Sequence, residues 1–342
     1  MPNSPDITNR IQGSLFGLAV CDALGGPVEF KARGSFPLVT SMLPNENFDL
    51  PAGCFTDDTS MALCLAQSLA EDSGFDAQDQ ARKYIDWHRY GYMSSVPERG
   101  CFDIGIGTSG VLKAWNDFLT REGGAEEIDP GKRRAVTEEG LRMVEKNFGG
   151  ESYCGNGSLM RVAPIALVYH AVDIEEALCY ARISSRVTHP HIRCQEACSL
   201  FVHLVVRASH GANKGALADI VATTSFIDGK LAERLNRYEN LDVWSAREEE
   251  DISSSGYVLD TLEAALWAFF TTDTFERGAI KAVNLGHDSD TVGAVYGALA
   301  GAHYGVTEIP DRRWEAMENK ALLQKAAKNI ESISSTKPQS ND

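Results

Sequence analysis

The sequence predicts a mainly helical, single-domain protein, and three observations carry that expectation. Apolar residues recur at intervals of three and four along most of the chain. Strand-like stretches amount to short runs such as Leu38-Val39-Thr40. No low-complexity or Pro/Ser-rich linker divides the 342 residues, so 1–333 read as one domain and 334–342 as a flexible tail.

Taken in order, a first helix carries Ile11, Leu15 and Leu18 and ends at Gly25-Gly26-Pro27, because glycine and proline stop a helical run. A second starts after Gly53 and places Met61, Leu65 and Leu69 on one face. The same spacing predicts helices over 77–90, 108–119, 133–147, 158–170, 173–185, 191–209 and 214–225, with the Gly- and charge-rich segment 120–134 as an exposed loop. Leu259, Leu262, Leu266, Trp267 and Phe270 mark another helix, followed by 274–284, 291–303 and 311–332. Small residues from Gly293 to Ala302 let a neighbouring helix approach closely. The stretch carries Tyr296 and His303 and is too polar at its flanks for a membrane pair, so tight packing inside a soluble bundle is expected.

The formal net charge of -16 excludes a basic nucleic-acid surface, since counterion displacement needs clustered Lys and Arg. Much of the acidity lies in solvated runs such as Arg247-Glu248-Glu249-Glu250-Asp251. No uninterrupted apolar run approaches a membrane span, and the N-terminal residues lack the pattern of a signal peptide. The eight cysteines have neither C-x-x-C nor zinc-like spacing, so they are expected as reduced thiols in or near the core of a cytosolic or nuclear protein. Asn156-Gly157-Ser158 matches a glycosylation sequon only by accident on that view.

Two acidic segments stand out. Phe55-Thr56-Asp57-Asp58-Thr59-Ser60 precedes the second helix, and two adjacent carboxylates exceed what a helix cap needs. Asn284-Leu285-Gly286-His287-Asp288-Ser289-Asp290-Thr291 precedes the small-residue helix. Asp288 and Asp290 converge only if they lie in a turn at its start, and Gly286 supplies one. An EF-hand is excluded, because the twelfth position is Leu299. Four carboxylates with threonine hydroxyls suit one or two hard divalent ions such as Mg²⁺ or Mn²⁺; two independent helix caps are the simpler alternative.

Further candidates sit on glycine-rich connections. Glu29, between Val28 and Phe30, suits proton transfer or metal binding, or is a solvent-facing turn residue. The segment 100–110 contains G-x-G-x-x-G without the preceding strand a Rossmann unit requires, although free N–H groups at Gly105, Gly107 and Thr108 could receive a phosphate or sugar oxygen. Gly155-Asn156-Gly157-Ser158-Leu159-Met160-Arg161 offers small polar groups and a cation for a phosphate or for an internal carboxylate. His189, in Thr188-His189-Pro190-His191, lacks a third ligand for a metal, and Tyr257 could stack on a base or simply pack in the core.

Read together, Asp22-Ala23-Leu24-Gly25 with Glu29, Phe55 to Thr59, Phe102-Asp103-Ile104-Gly105, Gly155 to Arg161, Gly256 to Leu262 and Asn284 to Thr291 resemble the ADP-ribosylglycohydrolase family over Ile11 to Tyr304. The resemblance implies an all-α, orthogonal multi-helix bundle with two divalent ions, Mg²⁺ or Mn²⁺. It implies cleavage of the bond between ADP-ribose and a protein side chain, most directly arginine. It makes Thr56, Asp57, Asp58, Asp288, Asp290 and Thr291 the metal ligands and Glu29 and Asp103 the catalytic acids. Gly105, Gly107, Thr108, Asn156, Gly157, Ser158, Met160, Arg161, His189 and Tyr257 would line the ADP-ribose cleft. Cys21 and His287 depart from the family pattern, where glycine is usual, and leave substrate preference open among arginine-linked, serine-linked and smaller ADP-ribose conjugates. Crystallin-like relatives that do not catalyse are the alternative of another class. The expected partners are ADP-ribosylated proteins or small ADP-ribose conjugates, met by a monomer without nucleic acid or membrane.

Overall fold

The structure, a computed structural model, describes residues 6–71, 74–122 and 130–334. Sixteen α-helices and no strands occur among them. They are α1 (Ile7–Gly25), α2 (Asp57–Glu71), α3 (Ala77–Tyr90), α4 (Ile106–Arg121), α5 (Pro130–Phe148), α6 (Ala163–Val168), α7 (Ile174–Arg186) and α8 (Ile192–Ser209). The second half adds α9 (Lys214–Thr223), α10 (Gly229–Leu235), α11 (Leu241–Ser245), α12 (Val258–Phe270), α13 (Phe275–Val283), α14 (Ser289–Tyr304), α15 (Asp311–Glu315) and α16 (Lys320–Ser334). The all-α expectation holds. The run Leu38-Val39-Thr40 forms no strand, because Asn284 satisfies both backbone groups of Val39, accepting from its N–H at 2.8 Å and donating to its carbonyl at 3.0 Å.

The centre of the molecule is the antiparallel pair α1 and α14. From Ile11 to Gly25, α1 is buried on every side except at Gln12, as a helix apolar around its whole circumference must be. Backbones touch along the seam. A Cβ on Gly17 would lie 2.3 Å from the Gly297 carbonyl oxygen, and one on Gly301 would lie 1.8 Å from that of Gly13. At one end Ser289 Oγ donates to the Gly25 carbonyl at 3.0 Å. At the other, Arg10 Nη1 donates at 3.0 Å to the last-turn carbonyls of Ala302 and of Ala208 on α8, where a cation complements two helix C-termini. The seam therefore sets the C-terminus of α1 beside the N-terminus of α14.

Several boundaries differ from the sequence expectation. Of 158–170 only α6 is helical, because Pro164 sits in its first turn and restrains the residue before it. The segment 311–332 is two helices, broken where the Glu318 N–H donates to the Gly53 carbonyl at 3.0 Å and Asn319 turns left-handed. Helices α10 and α11, of 7 and 5 residues, are too short to show a period. The loop expected at 120–134 is shortened by α4 and α5, and 123–129 lie outside the described residues. Ser334 belongs to α16 and is buried rather than frayed; 335–342 lie outside the described residues.

The segment Ile7–Val28 is long and apolar enough to cross a membrane, a fact hidden from a search for uninterrupted runs by Arg10 and Asp22. Its apolar window is 94 % buried inside the protein, which accounts for that character. Six of the eight free cysteines are buried and Cys101 is half-buried, in or near the core as expected, while Cys179 is exposed and departs from that expectation.

Candidate active site

Asp22, on the last turns of α1, organises the start of α2. Its carboxylate accepts the N–H of Thr56 at 2.9 Å, the N–H of Thr59 at 3.0 Å and both threonine hydroxyls at 2.8 and 2.5 Å. A carboxylate from another helix thus does the capping that Asp57 and Asp58 would otherwise do. Those two are left free although both are buried, and Asp58 Oδ1 has no hydrogen-bond partner. The capping alternative for the first acidic segment falls on this geometry.

The second segment makes the turn its sequence required. Gly286 and His287 are left-handed at φ 69° and 57°. The Phe30 N–H donates to the His287 carbonyl at 2.6 Å, and the His287 N–H to that of Lys31 at 2.8 Å, which ties the loop after Glu29 to this turn. Asp288 ends the turn and Asp290 lies in the first turn of α14. Asn156 Nδ2 holds Asp288 Oδ2 at 2.8 Å, while Asp290 Oδ1 is unpartnered. Thr56 Oγ1 lies 3.2 Å from Asp58 Oδ2 and 3.3 Å from Asp290 Oδ2, so the two segments meet.

Glu29 and Asp103 complete the acidic floor. Burial and then Asp103, which also hydrogen-bonds to it, push Glu29 up to about 11, and burial pushes Asp103 up to about 7. Burial is also the first cause of the elevated carboxyls of Asp57, Asp58 and Asp290. The largest charges acting on these three are other carboxylates. Single oxygens of Asp22, Asp58 and Asp290 lie within 4.8 Å of one another, as do those of Glu29, Asp103 and Asp290. Glu29 Oε2, Asp58 Oδ1, Asp103 Oδ2 and Asp290 Oδ1 are all buried and unpartnered. Orphaned oxygens in an all-carboxylate cluster fit hard divalent cations, which supply the missing positive charge.

Above this floor opens a cavity of about 520 Å³, lined among others by Glu29, Asp57, Asp103, Gly105, Gly107, Thr108, Asn156, Gly157, Met160, His189, Asp288, Asp290 and Thr291. No side chain caps α4, so the first N–H groups at Ile106, Gly107 and Thr108 remain available to an anion there. His189 is kept neutral, its affinity for a proton lowered to about 3 by burial and by Arg161, and its Nδ1 meets Thr188 Oγ1 at 2.8 Å.

Three predicted cleft residues do not reach the cavity. Arg161 is fully buried, stacks on Tyr84 and donates to the Gly157 carbonyl and to Thr188 Oγ1, both at 2.7 Å, so it braces the cleft wall from behind. Ser158 bonds to Ser185 beneath the same loop. Tyr257 lies beside the cavity with Arg193 over its ring, bridged to Gly155 through its backbone. Asn156, tied to Asp288 and Thr261, is 8 % exposed and is no glycan acceptor. Sequence reasoning gave no role to Asp22, although a lone carboxylate on an otherwise apolar helix signals a buried charge that needs partners. It also gave none to Phe30 and Tyr153 at the mouth.

Comparison with known proteins agrees with this architecture. The sequence model of the family described as ADP-ribosylglycohydrolase matches residues 3–339. The ADP-ribosylarginine hydrolase Tri1 of Pseudomonas putida is 34 % identical over 323 residues, covering 94 % of this chain and 78 % of that protein. The ADP-ribosyl-[dinitrogen reductase] glycohydrolase of Rhodospirillum rubrum is 30 % identical over 312 residues, 90 % of this chain and 89 % of the other. A solved structure titled "ADP-ribosylglycohydrolase-related protein complex" superposes with a TM-score of 0.75 at 35 % identity, covering 96 % of this chain and 99 % of its own. Matched over nearly its whole length by the family model, with relatives above 30 % identity on both counts, the chain belongs to the ADP-ribosylglycohydrolase family.

Proposed function

We propose that this protein hydrolyses the N-glycosidic bond between ADP-ribose and arginine side chains, with two divalent ions, Mg²⁺ or Mn²⁺, held by Thr56, Asp57, Asp58, Asp288, Asp290 and Thr291. The observation that carries the reading is the set of buried, unpartnered carboxylate oxygens brought together from four separate segments, on Glu29, Asp103 and Asp290 at the cavity and on Asp58 within reach of Asp290 beneath it. Relatives named for arginine-linked ADP-ribose support the linkage.

When bound, the ions would orient ribose hydroxyls and lower the pKa of a coordinated water. The protein's own groups do the rest. Asp22 fixes the start of α2, and Asn156 fixes Asp288. The free N–H groups of α4 are available to a diphosphate, and neutral His189 offers a hydrogen bond without adding charge. Glu29 and Asp103, side by side and with raised proton affinities, are the groups that take a proton from the attacking water and return one to the departing guanidino nitrogen as the C–N bond breaks.

The test is ADP-ribose release from arginine-, serine- and phosphate-linked conjugates with Mg²⁺ or Mn²⁺, against an Asp57→Asn/Asp290→Asn control. Metal-dependent release from the arginine conjugate, lost in the control, is expected. Tight ADP-ribose binding without release from any conjugate would instead make the protein a binder.

A further inference from the structure

Each of the two acids assigned to proton transfer has an aromatic residue next to it in sequence. Phe30 follows Glu29 and Phe102 precedes Asp103, and Phe48 bridges them. The Phe30 and Phe48 rings meet edge-on with centroids 6.5 Å apart, and Phe48 lies 5.9 Å from Phe102. Phe30 is 68 % exposed at the cavity mouth. Elsewhere in the molecule aromatic faces already carry cations, as Tyr84 carries Arg161 and Trp267 carries Lys281. Among the described residues no Lys or Arg stacks on these three.

Phe30 is also held in a conformation that a bulky side chain avoids. Its φ is 63°, fixed by the 2.6 Å hydrogen bond from its N–H to the His287 carbonyl. Such backbone is strained for a bulky residue and gains nothing from burial when the ring is exposed, so the ring's placement calls for a use.

We propose that Phe30, Phe48 and Phe102 form the leaving-group subsite, in which the guanidinium of an ADP-ribosylated arginine stacks on the aromatic strip beside Glu29 and Asp103. The inference rests on the hydrolase reading above and adds the physical basis of its side-chain preference. A guanidinium is planar, weakly hydrated and positively charged, so it gains from aromatic faces and from the neighbouring carboxylates. A serine oxygen has neither charge nor plane and gains from neither.

The informative variant is Phe30→Gly, because glycine adopts positive φ without strain while deleting the ring. The ratio of kcat/KM for ADP-ribosyl-arginine over ADP-ribosyl-serine is measured for wild type, Phe30→Gly and Phe30→Tyr, with thermal midpoints alongside. The expected result is a ratio lowered about tenfold by Phe30→Gly, with a midpoint equal to or above wild type, and a ratio restored by Phe30→Tyr. An unchanged ratio, or equal loss on both conjugates, would overturn the subsite while leaving the hydrolase intact. Wild-type cleavage of the serine conjugate alone, with no competition by free arginine, would remove the arginine reading and the subsite together.

Discussion

Removing divalent cations should make this protein lose stability as pH rises. In the folded chain burial holds Asp22 at about 6 and Asp103 at about 7, whereas both titrate near the ordinary carboxylate value of about 3.9 when unfolded. The native state therefore binds more protons than the unfolded state between those values, and unfolding free energy falls with increasing pH across that window. Glu29, held at about 11, stays protonated across the range and adds to the same effect, so between pH 5 and 8 linkage assigns the three groups together a loss on the order of 8 kcal/mol. For a chain of 342 residues that lowers the thermal midpoint by about 10 °C. Mg²⁺ at 100 times its dissociation constant should return about 2.7 kcal/mol at pH 8 and less at pH 5, where protons compete for the same oxygens. Scanning calorimetry in EDTA and in Mg²⁺ at the two pH values measures all four quantities. The Asp103→Asn variant should flatten the slope between pH 5 and 7, where Asp103 itself holds its proton in the folded state, and leave the part due to Asp22 and Glu29. A midpoint in EDTA that is flat or rising from pH 5 to 8, or a Mg²⁺ effect equal at both, would refute the reasoning.

Asn156→Ala should release Asp288 and weaken Mn²⁺ binding roughly tenfold by calorimetric titration, since ligand-orienting hydrogen bonds carry that much affinity. Gly17→Ala should cost about 3 kcal/mol in urea denaturation, because its Cβ has only 2.3 Å to the Gly297 carbonyl oxygen and neither backbone can yield without parting α1 from α14. In Mg²⁺ at pH 7, Asp22→Ala should destabilise by at least about 3 kcal/mol in the same assay, as four donors at the start of α2 lose their acceptor.

What the sequence by itself determined is local in origin. The period of apolar residues placed the long helices, because a helix that buries one face repeats it every three or four residues. Asp57-Asp58 and Asp288-x-Asp290 announced themselves because neighbouring like charges are costly without a cation, and Gly286 announced the turn that Asp288 needs. The glycine-rich connections marked Glu29 and Asn156 and the His-Pro-His turn marked His189, the family resemblance added the role of Asp103, and all four line the cavity.

Tertiary structure decided the rest. Arg161 reads as a phosphate ligand in its motif, yet its partners are Gly157, Thr188 and Tyr84, and Thr188 and Tyr84 lie in other segments. Asp22 acquires its role only because the glycine seam between α1 and α14 delivers it to the start of α2, 34 residues later. Phe30, Phe48 and Phe102 are separated along the chain and become one surface only when the loops around the two acids fold together. Periodicity and motif spacing report what a segment does with its own neighbours. Which carboxylates lose their hydrogen-bond partners, and which oxygens converge, depends on contacts between residues more than 200 apart, such as Thr56 and Asp290, and no local pattern encodes them.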